Sequence, residues 1–262
     1  MMVVGYIAAA FIGLALGMTG GGGAILTVPV LVYLFGLSPT LATSYSLFVV
    51  GSTSLVGAVS NYRRRLLDWR TAFLFGLPSV ITVFAVRRFL LPLIPGTLGH
   101  IQGYTLTRDT VTMMLFALLM VLAAFSMFKK TSDNGNNAGQ PFCGRCRLIL
   151  YGIGLGMVTG LLGAGGGFLL IPVLVVLVKL PMKTAVGTSL LIIAVNSLTG
   201  FAGDFGMYDT NWLFLTGLTV IAVAGILAGG RLAHNIPAVL LKKGFGLLVL
   251  ITGVLMLIHE IL

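Results

Sequence analysis

GGGGAILTVPVLVYLFGL, residues 20–37, and GAGGGFLLIPVLVVLVKL, residues 163–180, are one stretch written twice. Shifted by 143 positions (172 less 29), the chain matches itself without a gap. Pro29 falls on Pro172, Ser46 on Ser189, Ser54 on Ser197, Gly57 on Gly200 and Trp69 on Trp212. Composition alone would match Leu with Val. It would not match Pro, Trp and a glycine run at a single offset, so the pattern points to an internal duplication. The chain then reads as repeat 1 (1–128), a linker loop (129–147) and repeat 2 (148–262), within one membrane domain, 1–262.

The membrane reading rests on composition. Hydrophobic residues make up 58% of the chain and charged residues 8%, with mean hydropathy +1.09; a soluble domain carries about 25% charged residues. Apolar segments fall at 3–18, 24–36, 40–60, 71–92, 109–128, 148–162, 168–178, 184–203, 212–231 and 244–262. In lipid they must be helices, because each backbone polar group needs an internal partner. Six are long enough to cross a bilayer core of about 30 Å. The four short ones form two pairs, each broken by a glycine run. The expected fold is all-α and polytopic. The first segment lacks a basic n-region, so a cleaved signal peptide is not expected.

Charge orients the halves. The net charge of +10 reads as cytoplasmic Lys and Arg rather than as a nucleic-acid footprint. The loop after 40–60 holds Arg63, Arg64, Arg65 and Arg70, whereas its counterpart after 184–203 holds Asp204 and Asp209. Equivalent loops therefore lie on opposite faces, which predicts two inverted-topology repeats. Each contains three full spans and a glycine-tipped broken-helix hairpin that returns to its own side. Both termini come out external. Arg87, Arg88 and Arg108 are the exceptions to the charge rule, near the outer side.

The two hairpins enter from opposite faces. An arm of 12–16 residues rises roughly 18–24 Å, so the tips, 19–24 and 162–168, are expected to meet near the midplane. Glycine backbone N–H groups there can approach an anion closely. The second arm begins either at Ala24, with a kink at Pro29, or at Pro29 itself. The candidate substrate-binding residues are Thr19, Gly21, Gly22, Gly23 and Ala24 on the first tip and Gly165, Gly166, Gly167 and Phe168 on the second. Ser46, Thr53, Thr188, Ser189 and Asn196 are the polar lining from the following spans. Isolated Ser and Thr in membrane helices commonly bond their own backbone, whereas Asn196 is costlier to bury. Gly13, Gly17, Gly152, Gly156 and Gly160 read as packing positions. Arg87 and Arg88 read either as interfacial anchors or as an anion-attracting outer vestibule. Cys143 and Cys146 form CGRC in the linker. They read as reduced loop thiols, with a zinc half-site shared across a dimer or a redox pair as the alternative. Only six acidic residues occur, none expected mid-span. No nucleophile–base pair, P-loop or metal cluster is legible, so no cofactor and no enzyme chemistry are expected.

At these residues the sequence resembles the sulfite exporter TauE/SafE family of anion permeases. The likeness rests on GLALGMTGGGGAILTVPVL (13–31) and GMVTGLLGAGGGFLLIPVL (156–174). Each is followed by a serine-containing span, LATSYSL (41–47) and AVGTSLL (185–191). It covers nearly the whole chain in duplicate. The first repeat departs from the pattern, with Ser44-Tyr45 where the second has Gly187-Thr188. The resemblance implies transport of a small sulfur-containing anion (sulfite, sulfonate or sulfoacetate) across the bacterial inner membrane.

The expected function is alternating access with export, since a negative interior favours anion exit by about 2.3 kcal/mol per charge per 100 mV. A proton- or sodium-coupled organosulfonate importer, a passive anion channel and a purely structural membrane protein are the competing readings. The expected partners are the anionic substrate and the lipid bilayer, with a homodimer left open and no nucleic acid.

Overall fold

Why the helices begin where they do is visible in a computed structural model of the chain, which describes residues 2–21, 23–95, 97–101, 104–128, 145–163, 165–232 and 238–261. Helix α1 (Met2–Thr19) ends at Gly20, where a positive φ of 75° turns the chain. Helix α2 (Ala24–Pro29) follows and runs without interruption into a π-helical turn, Val30–Leu34. Pro29 has no N–H to give the preceding turn, and the backbone widens after it. The reading in which the helix starts at Pro29 is thereby corrected: it starts at Ala24. The rings of Tyr6 and Phe35 lie 5.6 Å apart, so the start of α1 sits beside the end of the π turn and the chain has folded back on itself.

The remaining elements are α3 (Pro39–Arg63), then α4 (Trp69–Ala85) with a π turn at Val86–Leu90 and a last turn α5 (Leu91–Leu93). A short antiparallel pair, β1 (Thr97–Ile101) and β2 (Tyr104–Thr107), leads into α6 (Arg108–Phe128). The second half holds α7 (Arg145–Leu162), α8 (Gly167–Pro172) with a π turn at Val173–Leu177, α9 (Met182–Asp204), α10 (Trp212–Leu232) and α11 (Ala238–Ile261). The β pair is a small addition to an otherwise helical architecture; it lies in a stretch between apolar segments that hydropathy left as loop. Among the described residues, five helical stretches are long and apolar enough to cross a membrane: Pro39–Arg63, Trp69–Leu93, Arg108–Phe125, Met182–Asp204 and Trp212–Leu232. The sixth expected span, 244–262, falls within α11, where Gly246–Ile258 counts as a shorter apolar stretch.

The element starts recur at the sequence offset. Met2, Ala24, Val30, Pro39 and Trp69 open elements in the first half, and Arg145, Gly167, Val173, Met182 and Trp212 open their counterparts. Packing repeats as well. A Cβ on Gly57 would meet Leu190 at 3.1 Å, and one on Gly200 would meet Leu47 at 3.1 Å. These two contacts exchange under the offset, and they fix α3 antiparallel to α9. Both helices are central: 67% of the most apolar window of each is buried, against 39% for the α4 span and 33% for α6 and α10.

Helix α1 lies against α10 backbone to backbone, with Gly13 on the Ala222 carbonyl and Gly17 on that of Ile226. The equivalent pair, α7 and α4, repeats this with Gly156 on Ser79 and Gly160 on Val83 and Val86. Small residues permit this approach, which in an apolar medium is a main source of helix cohesion. Gly156→Ala would place its Cβ 2.6 Å from the Ser79 carbonyl oxygen. We expect it to destabilise the purified protein by about 1–3 kcal/mol. Gly154→Ala, where nothing lies within 4 Å, should be neutral or slightly stabilising. Thermal unfolding in detergent checks the pair.

Candidate functional site

The two glycine runs meet. A Cβ on Gly21 would fall 2.8 Å from the Gly167 carbonyl oxygen, and one on Gly167 would fall 2.6 Å from that of Gly21. No side chain other than hydrogen fits between them, and Ile193 closes over both. Gly20 and Gly163 end α1 and α7 alike, donating their N–H groups to Leu16 and Thr159 carbonyls at 2.8 and 2.9 Å. Gly163, Gly165 and Gly166 all have positive φ, 68°, 65° and 63°, a conformation that strongly favours glycine. Gly23 is wedged against Ile12 and Leu16, and Ala24 is fully buried. Gly22 lies outside the described residues, as does the side chain of Phe168.

The polar lining divides. The Ser189 hydroxyl donates to the Gly20 carbonyl at 3.1 Å and so reaches the first tip. Ser46, its counterpart, is buried with an unpartnered hydroxyl. Asn196 is fully buried and donates to Ser79 Oγ at 2.7 Å, tying α9 to α4, while its Oδ1 has no partner. Thr53 and Thr19 bond back to their own helices, at Val49 and Ala15. The Thr188 hydroxyl accepts the Asp68 N–H at 3.0 Å, where Asp68 also caps α4 by accepting from the Arg70 N–H. The hydroxyls of Thr53, Thr19 and Thr188 thus each have a structural bond, and that of Thr188 serves the α3–α4 loop rather than the tips.

The largest departure from the sequence reading is Arg87. Both the anchor and the vestibule readings put it at the outer surface, yet it is 0% exposed and its Nη1 donates to Asp204 Oδ2 at 2.9 Å. Thr43 Oγ1 accepts from the same Nη1 at 3.4 Å. Arg87 sits in the π turn after α4, which changes the helical register and places Val86 and Arg87 both inside. Arg88, its neighbour, is exposed. Asp204 is likewise buried, at the end of α9. Arg87 Nη2 is packed against Gly163, so the ion pair belongs to the second tip. Ser197, next to Gly165, was named from the sequence as the match of Ser54 but not among the lining, and Thr159, next to Gly166, was not singled out. The signal that could have found Arg87 is the offset itself: Arg87 and Asp204 fall on Gly230 and Asn61, so the charge pair has no counterpart in the other half. Cys146 is exposed, and Cys143 lies outside the described residues.

A family model described as "Sulfite exporter TauE/SafE" matches residues 6–256. The chain belongs to the TauE/SafE family. Similar curated proteins bear this out. A probable membrane transporter protein of Xylella fastidiosa (strain Temecula1 / ATCC 700964) is 27% identical over 257 residues, covering 93% of this chain and 90% of the relative. The probable membrane transporter protein YdhB of Bacillus subtilis is 25% identical over 247 residues, covering 94% and 96%. The probable membrane transporter protein MJ0441 of Methanocaldococcus jannaschii is 24% identical over 241 residues, covering 87% and 80%. No solved structure matches significantly. As a TauE/SafE chain with several apolar helices, this is a multi-pass membrane protein of a transporter family.

Removing one member of a buried ion pair leaves an uncompensated charge, which costs about 3–5 kcal/mol. Arg87→Met or Asp204→Leu alone should lose about that much stability. The double substitution should recover most of it, because two apolar groups then replace the pair. A double-mutant cycle by chemical or thermal unfolding reads this directly; additive losses would show that the two side chains do not interact.

Proposed function

We propose that this protein carries a small anion across the bacterial inner membrane by alternating access, with two inverted-topology repeats whose glycine-tipped hairpins enter from opposite faces. The observation that carries the reading is the backbone contact between Gly21 and Gly167, where the two glycine runs meet. Non-helical backbone within a bilayer is tolerated where protein buries it or where it lines a cavity, and broken helices of this kind are a common substrate site in transporters. The antiparallel pairing of the equivalent helices α3 and α9 supports inversion, since two spanning helices that run oppositely cross in opposite senses. The closed contact between the tips fits an occluded state, in which one repeat-derived unit then rocks against the other.

Sulfite, sulfonates and sulfoacetate are the proposed substrates, by the family's description as sulfite exporters. Export down the membrane potential needs no coupling ion. Coupled uptake is a second reading, favoured by one observation: Asp204 is a buried carboxylate on the second tip's arginine. An imposed proton gradient separates the two, because uphill uptake collapses without it and downhill export does not.

Transport should be measured in proteoliposomes against sulfite, thiosulfate, sulfoacetate, taurine, acetate and chloride. Gly165→Ala forces a Cβ into positive φ and to within 2.8 Å of Ser197 Oγ and Val50 Cγ1. We expect it to cut saturable flux by about tenfold or more while the protein still elutes as a folded species, an effect of roughly 1.4 kcal/mol. Wild-type flux in this variant would remove the tips from the transport path. Flux of none of these anions by the unaltered protein would remove the anion assignment.

A further inference from the structure

The two tips are built on one backbone plan but lined by different chemistry. Around the first, Gly20 meets Val186 and Gly23 meets Leu16. At the equivalent places around the second, Gly163 meets Thr43 and Gly166 meets Thr159, and Arg87 packs beside Gly163 where the other half has Gly230. Three buried polar groups at the second tip have no hydrogen-bond partner among the described residues: Arg87 with its Nε and Nη2, Ser197 Oγ and Thr159 Oγ1. Each touches a different glycine of that tip, Gly163, Gly165 and Gly166 in turn. These side chains are 0%, 0% and 1% exposed. Burying unpaired donors costs about 1–3 kcal/mol each, so a cluster of them on one loop calls for a ligand.

The arginine specifies which ligand. Its Nη1 is occupied by Asp204 and Thr43. Nε–H and Nη2–H point the same way from the other edge of the guanidinium plane, and that edge is the unpaired one. Two parallel N–H donors match two oxygens on one carboxyl, sulfonyl or sulfite centre. A monatomic anion uses the charge but cannot use the fork. Asp204 meanwhile fixes the plane of the guanidinium through Nη1.

Resting on the transport reading above, we propose that the second tip alone holds the substrate. The Nε–Nη2 edge of Arg87 grips an oxyanion bidentately, and Ser197 and Thr159 supply further hydrogen bonds. The first tip, where Val186 and Leu16 stand in place of Thr43 and Thr159 and the Ser189 hydroxyl is already bonded to the Gly20 carbonyl, closes against it. The fork gives the oxyanion class proposed above a residue-level basis at Arg87, one that a halide cannot use.

The test uses full-length protein in proteoliposomes, with sulfite and methanesulfonate as probes. Arg87→Lys keeps the charge that Asp204 requires and removes the fork. It should raise KM for both probes by about tenfold or more, with unfolding temperature close to that of the unaltered protein. Arg87→Gln combined with Asp204→Asn keeps the pair neutral and hydrogen-bonding, so a loss of transport there does not stem from an unpaired buried charge. It should lose saturable uptake of both probes. Unaltered KM in folded Arg87→Lys, or retained saturable uptake in the double variant, overturns the fork while leaving transport standing. Absence of probe flux in the unaltered protein overturns the transport reading and the fork together. If the unaltered protein carries chloride with a KM equal to that for sulfite, the fork is likewise wrong.

Discussion

Close backbone contact between helices is what the rest of the structure depends on. Between apolar segments in lipid there is little hydrophobic drive to associate, since lipid tails are as apolar as leucine. Cohesion has to come from dispersion at short range and from hydrogen bonds. Gly13 and Gly17 bring α1 onto the α10 backbone, and Gly156 and Gly160 bring α7 onto α4. Each of these contacts anchors the first arm of a broken helix pair against a long span. The glycine tips that follow are then held at the level where Gly21 and Gly167 touch. A bulkier residue at any of these glycines would move an arm, and with it a tip.

The scaffold contacts repeat at the sequence offset, and the side chains beside the glycine runs repeat less well. The contacts of Gly57 with Leu190 and of Gly200 with Leu47 exchange under the sequence offset, as do those of Gly13 and Gly156. Three of the side chains facing the tips do not. Val186 answers Thr43, Leu16 answers Thr159, and Gly230 answers Arg87. In the proposed cycle a symmetric scaffold would keep two conformations similar in energy, because each half would meet the same packing problem in turn. An asymmetric lining is compatible with that proposal, provided its charges are internally balanced. The Arg87–Asp204 pair, at 2.9 Å and fully buried, provides the balance.

Much of this was legible in the sequence, for identifiable reasons. Spans could be read because an apolar run of about 20 residues matches the thickness of a bilayer core and little else. The recurrence of element starts at one offset could be read because Pro29/Pro172 and Trp69/Trp212 are rare residues at that spacing. The packing role of Gly13 and Gly156 followed from their helical repeat. Arg87 could not be placed, because hydropathy assigns a residue to a depth and not to a face. An arginine near a helix end looks like a snorkelling anchor unless a π turn rotates it inward, and π turns leave no reliable mark on a single sequence. The β1–β2 pair escaped for a related reason: TLGHIQGYTLT is too short and too mixed for alternation to stand out. The bond between the Thr188 hydroxyl and the Asp68 N–H was not legible either, because its partner lies 120 residues away.

The neutral pair bears on how tightly such a site could hold its cargo. A lone buried arginine would be costly to keep in the protein and would bind an anion so favourably that release became slow. With Asp204 on Nη1, the arginine's charge is already compensated. What remains for a substrate is hydrogen bonding through Nε and Nη2 plus a reduced electrostatic attraction. That arrangement favours shape over charge: an oxyanion that satisfies both donors gains more than a sphere of equal charge. It also keeps binding shallow enough for turnover, as transport requires. In the proposed cycle the resident pair moves no net charge, so the anion's own charge sets the voltage dependence. One negative charge leaving the cell gains about 2.3 kcal/mol per 100 mV, which supplies the direction of export without any coupled ion.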